Sequence, residues 1–376
     1  MKKNTKNKLK PIDFGLVSVT LGLIIFGVVM VFSASYYWAL GQDGSPYAYL
    51  IKSGIWACGG IGIMFIVAMI DYRRLKNLST IIMIASIVAL ALIFTPLGSG
   101  AKGATRWLDL GIITIMPGEI SKLAAIIFVA AFLSKKGRNV NSLVETILPL
   151  LLLCGAYGGL IMLQPNMSTA VTIVGIIIAM MFIAGIKLYY FGGLIGVGAA
   201  LGVAMISTSE YRLARATSFL NPFKDAQGDG FQVVQSLLAL GSGGFWGRGL
   251  GNSIQKSLYL PEPQNDFILS IIGEELGFVG ITFLLMAYIF LIWRGIKVAL
   301  AAKDKFGFYI ASGVVMMIGI QVALNIAVVT SSMPPTGVTL PFVSYGGNAM
   351  ILFCTGMGLV LSVSRRTVDI DEDEEL

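Results

Sequence analysis

The chain has 376 residues, 56% hydrophobic and only 12% charged, with mean hydropathy +0.82 and a formal net charge of +7. Soluble proteins carry about twice that charged fraction, so a cytosolic enzyme, a disordered chain and a secreted disulfide scaffold are excluded, and lipid is left as the solvent. Histidine is absent, which removes Ser-His-Asp relays, Cys-His pairs and His-ligated metals and leaves proton transfer to carboxylates, Lys or Tyr.

Residues 1–13 form a basic tail, MKKNTKNKLKPID. Beyond it, a hydrocarbon core ~30 Å thick takes about 20 helical residues, and backbone amides in lipid must pair internally. Runs at 14–34, 49–70, 77–95, 118–134, 144–163, 168–186, 188–207, 266–293, 307–330 and 341–363 meet this requirement. The first is too long for a signal-peptide core, and FSAS is a poor cleavage site. The fourth is short and carries Glu119 and Lys122; only Lys187 separates the sixth from the seventh. The expected fold is all-α: a polytopic membrane protein of about ten transmembrane helices over 14–366, with a large extracytoplasmic loop at 209–265 between helices 7 and 8. An acidic tail at 367–376 ends in DIDEDEEL.

With the N-terminus inside, about two thirds of the 27 Lys and Arg residues fall in inside segments. They include Arg73, Arg74, Lys135, Lys136, Lys297, Lys303, Arg365 and Arg366. That is the positive-inside pattern. It assigns the basic balance to the cytoplasmic membrane face rather than to nucleic acid, and it puts both termini in the cytoplasm. Cys58, Cys154 and Cys354 all lie in apolar runs with no metal-site spacing and read as buried, inert thiols.

Polar chemistry collects on the outer side, in a loop at 96–117, a turn at 164–167, the loop at 209–265 and a turn at 331–340. In FQVVQSLLAL (231–240), Phe231, Val234, Leu237 and Leu238 recur at helical spacing, which predicts a short helix in the outer interface. Six glycines between Gly241 and Gly251 follow, with Arg248 among them and Lys256 just beyond. Such a backbone can turn amides toward an anion or simply allow a tight path against other helices. Intramembrane charges cost about 2.5–3.5 kcal/mol each on insertion scales. Glu119 and Lys122, three apart, can share a helix face, either as a structural ion pair or as cavity groups. Asp266 opens the eighth run, as a helix N-cap or as a reactive acid, with Glu274 and Glu275 about two turns on. Pro334, Pro335, Gly337, Pro341, Gly346 and Gly347 read as a broken helix or re-entrant turn lining a cavity.

Six motifs carry a resemblance: RWLDLG (106–111), PGEISK (117–122), QPNMSTA (164–170), NPFKDAQGDGFQVVQSLLALGSGGFWGRGLGNS (221–253), LPEPQNDFILSIIGEELG (260–277) and PPTGVTLPFVSYGG (334–347). In order and spacing they resemble the SEDS family (shape, elongation, division and sporulation proteins, the FtsW/RodA/SpoVE group), from the first span to Arg366. The QPNMSTA turn and the acidic tail lean toward its FtsW/SpoVE branch. Met116, Gly118, Asn166, Gln264 and Asn348 depart from the family pattern.

The resemblance implies a peptidoglycan glycosyltransferase that polymerises lipid II on the outer face of the bacterial cell membrane, for septal or spore wall. It implies a class B penicillin-binding protein transpeptidase as partner, with other divisome or elongasome membrane proteins. Asp266 corresponds to the family's essential carboxylate, and Glu119 and Lys122 to polar cavity residues. The donor is α-linked and the product β-1,4, so configuration inverts in one displacement that needs one carboxylate base and positive charge on the leaving pyrophosphate. Arg248, Lys256, Lys102, Arg106, Arg212 and Arg215 are the outer-face cations available for that charge. Glu274 and, within the PFVSYGG motif, Ser344 complete the expected substrate-binding set. A divalent cation, magnesium or manganese, could share the work, although no compact metal motif is visible. A lipid II flippase and a non-catalytic division scaffold are the alternatives.

Overall fold

Each described apolar run closes into a helix because nothing else satisfies its backbone in lipid. The computed structural model describes residues 10–42, 44–101, 104–109, 111, 114–193, 196, 219, 221–228, 230–257 and 259–367. In chain order the helices are α1 (Phe14–Gln42), α2 (Ala48–Met69), α3 (Arg74–Leu92), α4 (Pro117–Lys136), α5 (Leu148–Leu163) and α6 (Met167–Ile183). They continue as α7 (Phe231–Gly243), α8 (Ile268–Leu300), α9 (Lys305–Val329) and α10 (Gly347–Ser364). Eight helical segments among the described residues, α5 taken with the π-turn at Leu143–Ile147, are long and apolar enough to span a membrane; α6 is a shorter apolar helix. Of the seventh expected span, 188–207, residues 188–193 and 196 are described and helical; the rest lies outside the described residues.

The inner layer is α4, α9 and α10, whose apolar windows are 78%, 61% and 72% buried, against 17% for the peripheral α3. The weakest run in the sequence is therefore the most enclosed helix. Glu119 and Lys122 lower its hydropathy, and burial against α3, α6 and α9 shields them from lipid. The last run is shorter than expected: 331–346 is non-helical, as the Pro/Gly cluster predicts, and α10 starts only at Gly347.

Two features have no counterpart in the sequence reading. The 96–117 loop contains a small antiparallel sheet, β1 (Gly98–Ala101), β2 (Ala104–Asp109) and β3 (Thr114–Ile115), with Leu108 opposite both Gly98 and Ile115. And α8 is broken at Gly277 (φ 66°, ψ −166°). An α-helix would send the amides of Phe278 and Val279 to the carbonyls of Glu274 and Glu275. The break frees all four groups, and the glycine-rich segment takes them up. Arg248 N and Gly249 N donate to Glu274 O and Glu275 O (both 2.9 Å), while Phe278 N and Val279 N donate to Gly244 O (2.9 Å) and Phe245 O (3.2 Å). A Cβ on Gly277 would stand 2.3 Å from Gly247 N, and one on Gly247 would stand 2.2 Å from Glu275 O. Glycine is needed on both sides of this contact.

Polar contacts gather at the two ends of the helices. At one end Asp13 pairs with Arg294 (3.1 Å), Asp304 with Arg73 (3.2 Å) and Asp71 with Arg366 (3.4 Å). At the other, Arg106 donates to Pro165 O, and Tyr345 N donates to Gln264 O (2.9 Å). Segments that the charge count groups on one side thus meet one another. The helix at 231–240 forms as expected but is rotated. Val233, Val234, Ser236 and Ala239 are buried, with Ser236 Oγ 2.7 Å from Ser270 Oγ and 2.8 Å from Val329 O, while Leu238 is exposed. The cysteines are free thiols, but only Cys354 is buried; Cys58 is exposed.

Candidate active site

A cavity of about 580 Å³ opens among α4, α6, α9, the start of α8 and the 331–346 segment. β2 supplies Arg106 and Trp107; α4 supplies Glu119 and Lys122; the α6 start supplies Asn166, Ser168 and Thr169. The turn before α8 supplies Glu262, Asn265 and Asp266, and the non-helical segment supplies Thr336, Gly337 and Tyr345. The expected catalytic acid and three of its expected neighbours, Arg106, Glu119 and Lys122, therefore share one space although the sequence spreads them over 160 positions.

Lys122 Nζ donates to Glu119 Oε1 at 2.6 Å and lies 3.5 Å from Gln321 Oε1. Both charged side chains are buried, and Glu119 Oε2 has no hydrogen-bond partner. The pair that helical spacing predicts is thus formed, and it also faces the cavity. Asp266 sits in the turn ahead of α8; the cap position is Phe267, so Asp266 is not the N-cap residue. A Cβ on Gly337 (φ 77°) would stand 3.1 Å from Asp266 Oδ2, so that glycine leaves room for the carboxylate.

Four expected site residues are placed elsewhere. Lys256 is 3% exposed, with Nζ 2.8 Å from Glu275 Oε1 and 3.1 Å from Ser33 Oγ, and it does not line the cavity. Glu274 is fully buried and accepts from Ser253 Oγ, Ile254 N (2.9 Å) and Gln255 N (3.2 Å), which ties the outer loop to α8. Arg248 lies 3.9 Å from Glu274 and outside the cavity lining. Ser344 Oγ accepts from Leu340 N (2.7 Å) and lines a smaller pocket with Gly27 and Trp56. The amides of Gly247, Arg248 and Gly249 are spent on Gly243 O, Glu274 O and Glu275 O, so the glycines serve close packing rather than an anion. Lys102, Arg212 and Arg215 lie outside the described residues.

The sequence reading missed Gln321, Thr336, Glu262, Gln232 and Asn348 in the lining and Asn325 behind it. Gln321 and Asn325 are neutral, and a charge search passes over amides. Their four-residue spacing inside an apolar helix was the available signal. Among the described residues no group of three or more His, Cys, Asp and Glu could hold a metal ion.

The family model for the cell cycle protein family FtsW/RodA/SpoVE matches residues 15–369. Stage V sporulation protein E of Bacillus subtilis (strain 168) is 42% identical over 364 residues, covering 96% of this chain and 99% of the relative. A probable peptidoglycan glycosyltransferase FtsW of Geobacter sp. (strain M18) is 37% identical over 356 residues, covering 94% and 97%. A chain from a peptidoglycan synthase complex, described as coordinating polymerization and crosslinking, superposes with TM-score 0.77 at 28% identity, covering 94% of this chain and 98% of that one.

Proposed function

The chain belongs to the FtsW/RodA/SpoVE family of cell cycle proteins, and from that membership we propose that it is a peptidoglycan glycosyltransferase polymerising lipid II into β-1,4 glycan strands with release of undecaprenyl pyrophosphate. The observation that carries the chemistry is the meeting of Asp266 with Arg106 and the Glu119–Lys122 pair in one cavity. The acceptor 4-hydroxyl oxygen attacks the donor C1, the bond from C1 to the pyrophosphate oxygen breaks, and the electron pair leaves with the pyrophosphate. Asp266 takes the hydroxyl proton as the bond forms. Glu119, three residues from Lys122, is held in an ion pair with it at 2.6 Å.

Arg106 and Lys122 are the cations of the described lining, and they supply positive charge to the leaving group. Lys102, Arg212 and Arg215 are proposed to add to it. Among the described residues no cluster of three or more His, Cys, Asp and Glu is available to a resident metal ion. A magnesium or manganese ion would then enter as part of the substrate, on its pyrophosphate, in the manner usual for magnesium.

The names of the sequence relatives, sporulation protein E and FtsW, favour septal or spore wall synthesis. Crosslinking of the new strands calls for a transpeptidase of the penicillin-binding class B type, together with other divisome or elongasome membrane proteins. The protein is multi-pass, and the positive-inside pattern puts both termini in the cytoplasm and the cavity outside the bacterial plasma membrane.

The test uses purified chain with its transpeptidase in detergent, where there are no two sides and flipping yields no product. Glycan strands from lipid II support the polymerase. Their absence under conditions where a known polymerase is active overturns it in favour of a flippase or scaffold.

A further inference from the structure

Asn325 lies on α9, fully buried, and its side-chain amide spans two main-chain segments: Nδ2 donates to Asp266 O at 2.8 Å and to Val338 O at 2.7 Å. Both partners are acceptors, so the NH₂ end must face them; the flipped amide would set oxygen against oxygen. Neither segment belongs to a helix or a sheet. Asp266 stands in the turn that precedes α8, and Val338 stands in the non-helical stretch between α9 and α10. Next to Val338 is Gly337, whose Cβ position is 3.1 Å from Asp266 Oδ2. One amide therefore sets the distance between the turn that carries the carboxylate and the wall against which it rests. Asn325 is absent from the cavity lining, so it reaches substrate only through these neighbours.

We propose that Asn325 is a positioning residue for the polymerisation reaction, holding the Asp266 main chain to that of Val338 so that the carboxylate is presented to the acceptor hydroxyl. This rests on the reading of Asp266 as the base. A reacting group displaced by about 1 Å loses roughly 10²-fold in rate, while substrate contacts made by other lining residues are untouched. The loss should therefore fall on kcat and not on KM.

The experiment compares wild type and Asn325→Leu, both in complex with the transpeptidase, by steady-state lipid II polymerisation and by melting temperature. Leucine matches the side chain in size and removes both donors. The expected result is kcat lower by about 10- to 100-fold with KM for lipid II within about twofold. If Asn325→Leu does not fold, Asn325→Ser takes its place, since one hydroxyl can serve at most one of the two carbonyls; the same split is expected with a smaller loss. A folded variant with wild-type kcat, or one whose KM rises at unchanged kcat, overturns the tether while the wild-type strands leave the base reading standing. A wild-type complex that makes no strands overturns both.

Discussion

A carboxylate enclosed in a membrane protein needs a partner, and the buried ones here find different kinds. Glu274 accepts hydrogen bonds from backbone amides and a serine, Glu275 pairs with Lys256 and accepts from Ser33, and Glu119 pairs with Lys122. Removing one member of a buried pair strands the other, at a cost of about 3–5 kcal/mol, whereas removing both is nearly neutral. Lys256→Met should therefore lower the melting temperature sharply, and Lys256→Met with Glu275→Gln should recover most of the loss. Equal stability of the single and double variants would contradict the pairing. Glu119→Gln keeps the shape of the side chain but leaves Lys122 without its counter-charge, so both melting temperature and turnover should fall, read as melting temperature and strand synthesis on the same sample. Spacing made Glu119–Lys122 legible in the sequence because three residues is a local helical distance. Lys256–Glu275 was not legible, since its geometry depends on a loop folding back onto α8. An outer-loop lysine looks the same in sequence whether it is solvated or buried.

At the scale of elements, helix positions followed from apolar length, and the break in α8 did not. LGFVG (276–280) continues an apolar run, and glycines scattered in such a run are a weak signal. What fixes the break is the exchange of four backbone hydrogen bonds with residues 244–249, thirty positions away. Gly277→Ala places a methyl within 2.3 Å of Gly247 N at a positive φ. It should lower yield and melting temperature by disturbing the α8 break and the outer loop together; a variant with wild-type melting temperature would contradict this. At the opposite end of the helices, Asp304 caps α9 through Gly307 N and accepts from Tyr72 OH and Arg73. Burial pushes its carboxyl up, but these donors outweigh burial and hold it below the ordinary carboxylate value. A lowered folded value gives stability that is present above the ordinary carboxylate pKa and lost as pH falls through the folded one. The melting-temperature gap between wild type and Asp304→Asn should be widest near neutral pH and shrink below about pH 4. A gap that is constant or widens toward acid would contradict it.

Over the whole molecule, segments grouped by charge also cluster in space. The 71–73 turn, the α8–α9 connection and the chain beyond α10 meet at one end, and the cavity opens near the other. Alternating spans require that arrangement, which is why the membrane architecture was readable from hydropathy and Lys/Arg bias. The small sheet at 98–115 was not readable, because GSGA carries little strand propensity and TI, though β-branched, is only two residues long. Sidedness can be read directly. With the three native cysteines replaced, Asp109→Cys should react with an impermeant thiol reagent on intact protoplasts and Lys135→Cys should not; the reverse pattern would place the cavity on the cytosolic side.

The central claim, that a single acid at the mouth of α8 removes the acceptor proton, is tested most directly by Asp266→Asn. Rate of strand formation and lipid II binding should be measured on the same transpeptidase complex. A rate lower by about 10²- to 10⁴-fold with lipid II affinity within about twofold is the predicted result. Strand synthesis at the wild-type rate would contradict it.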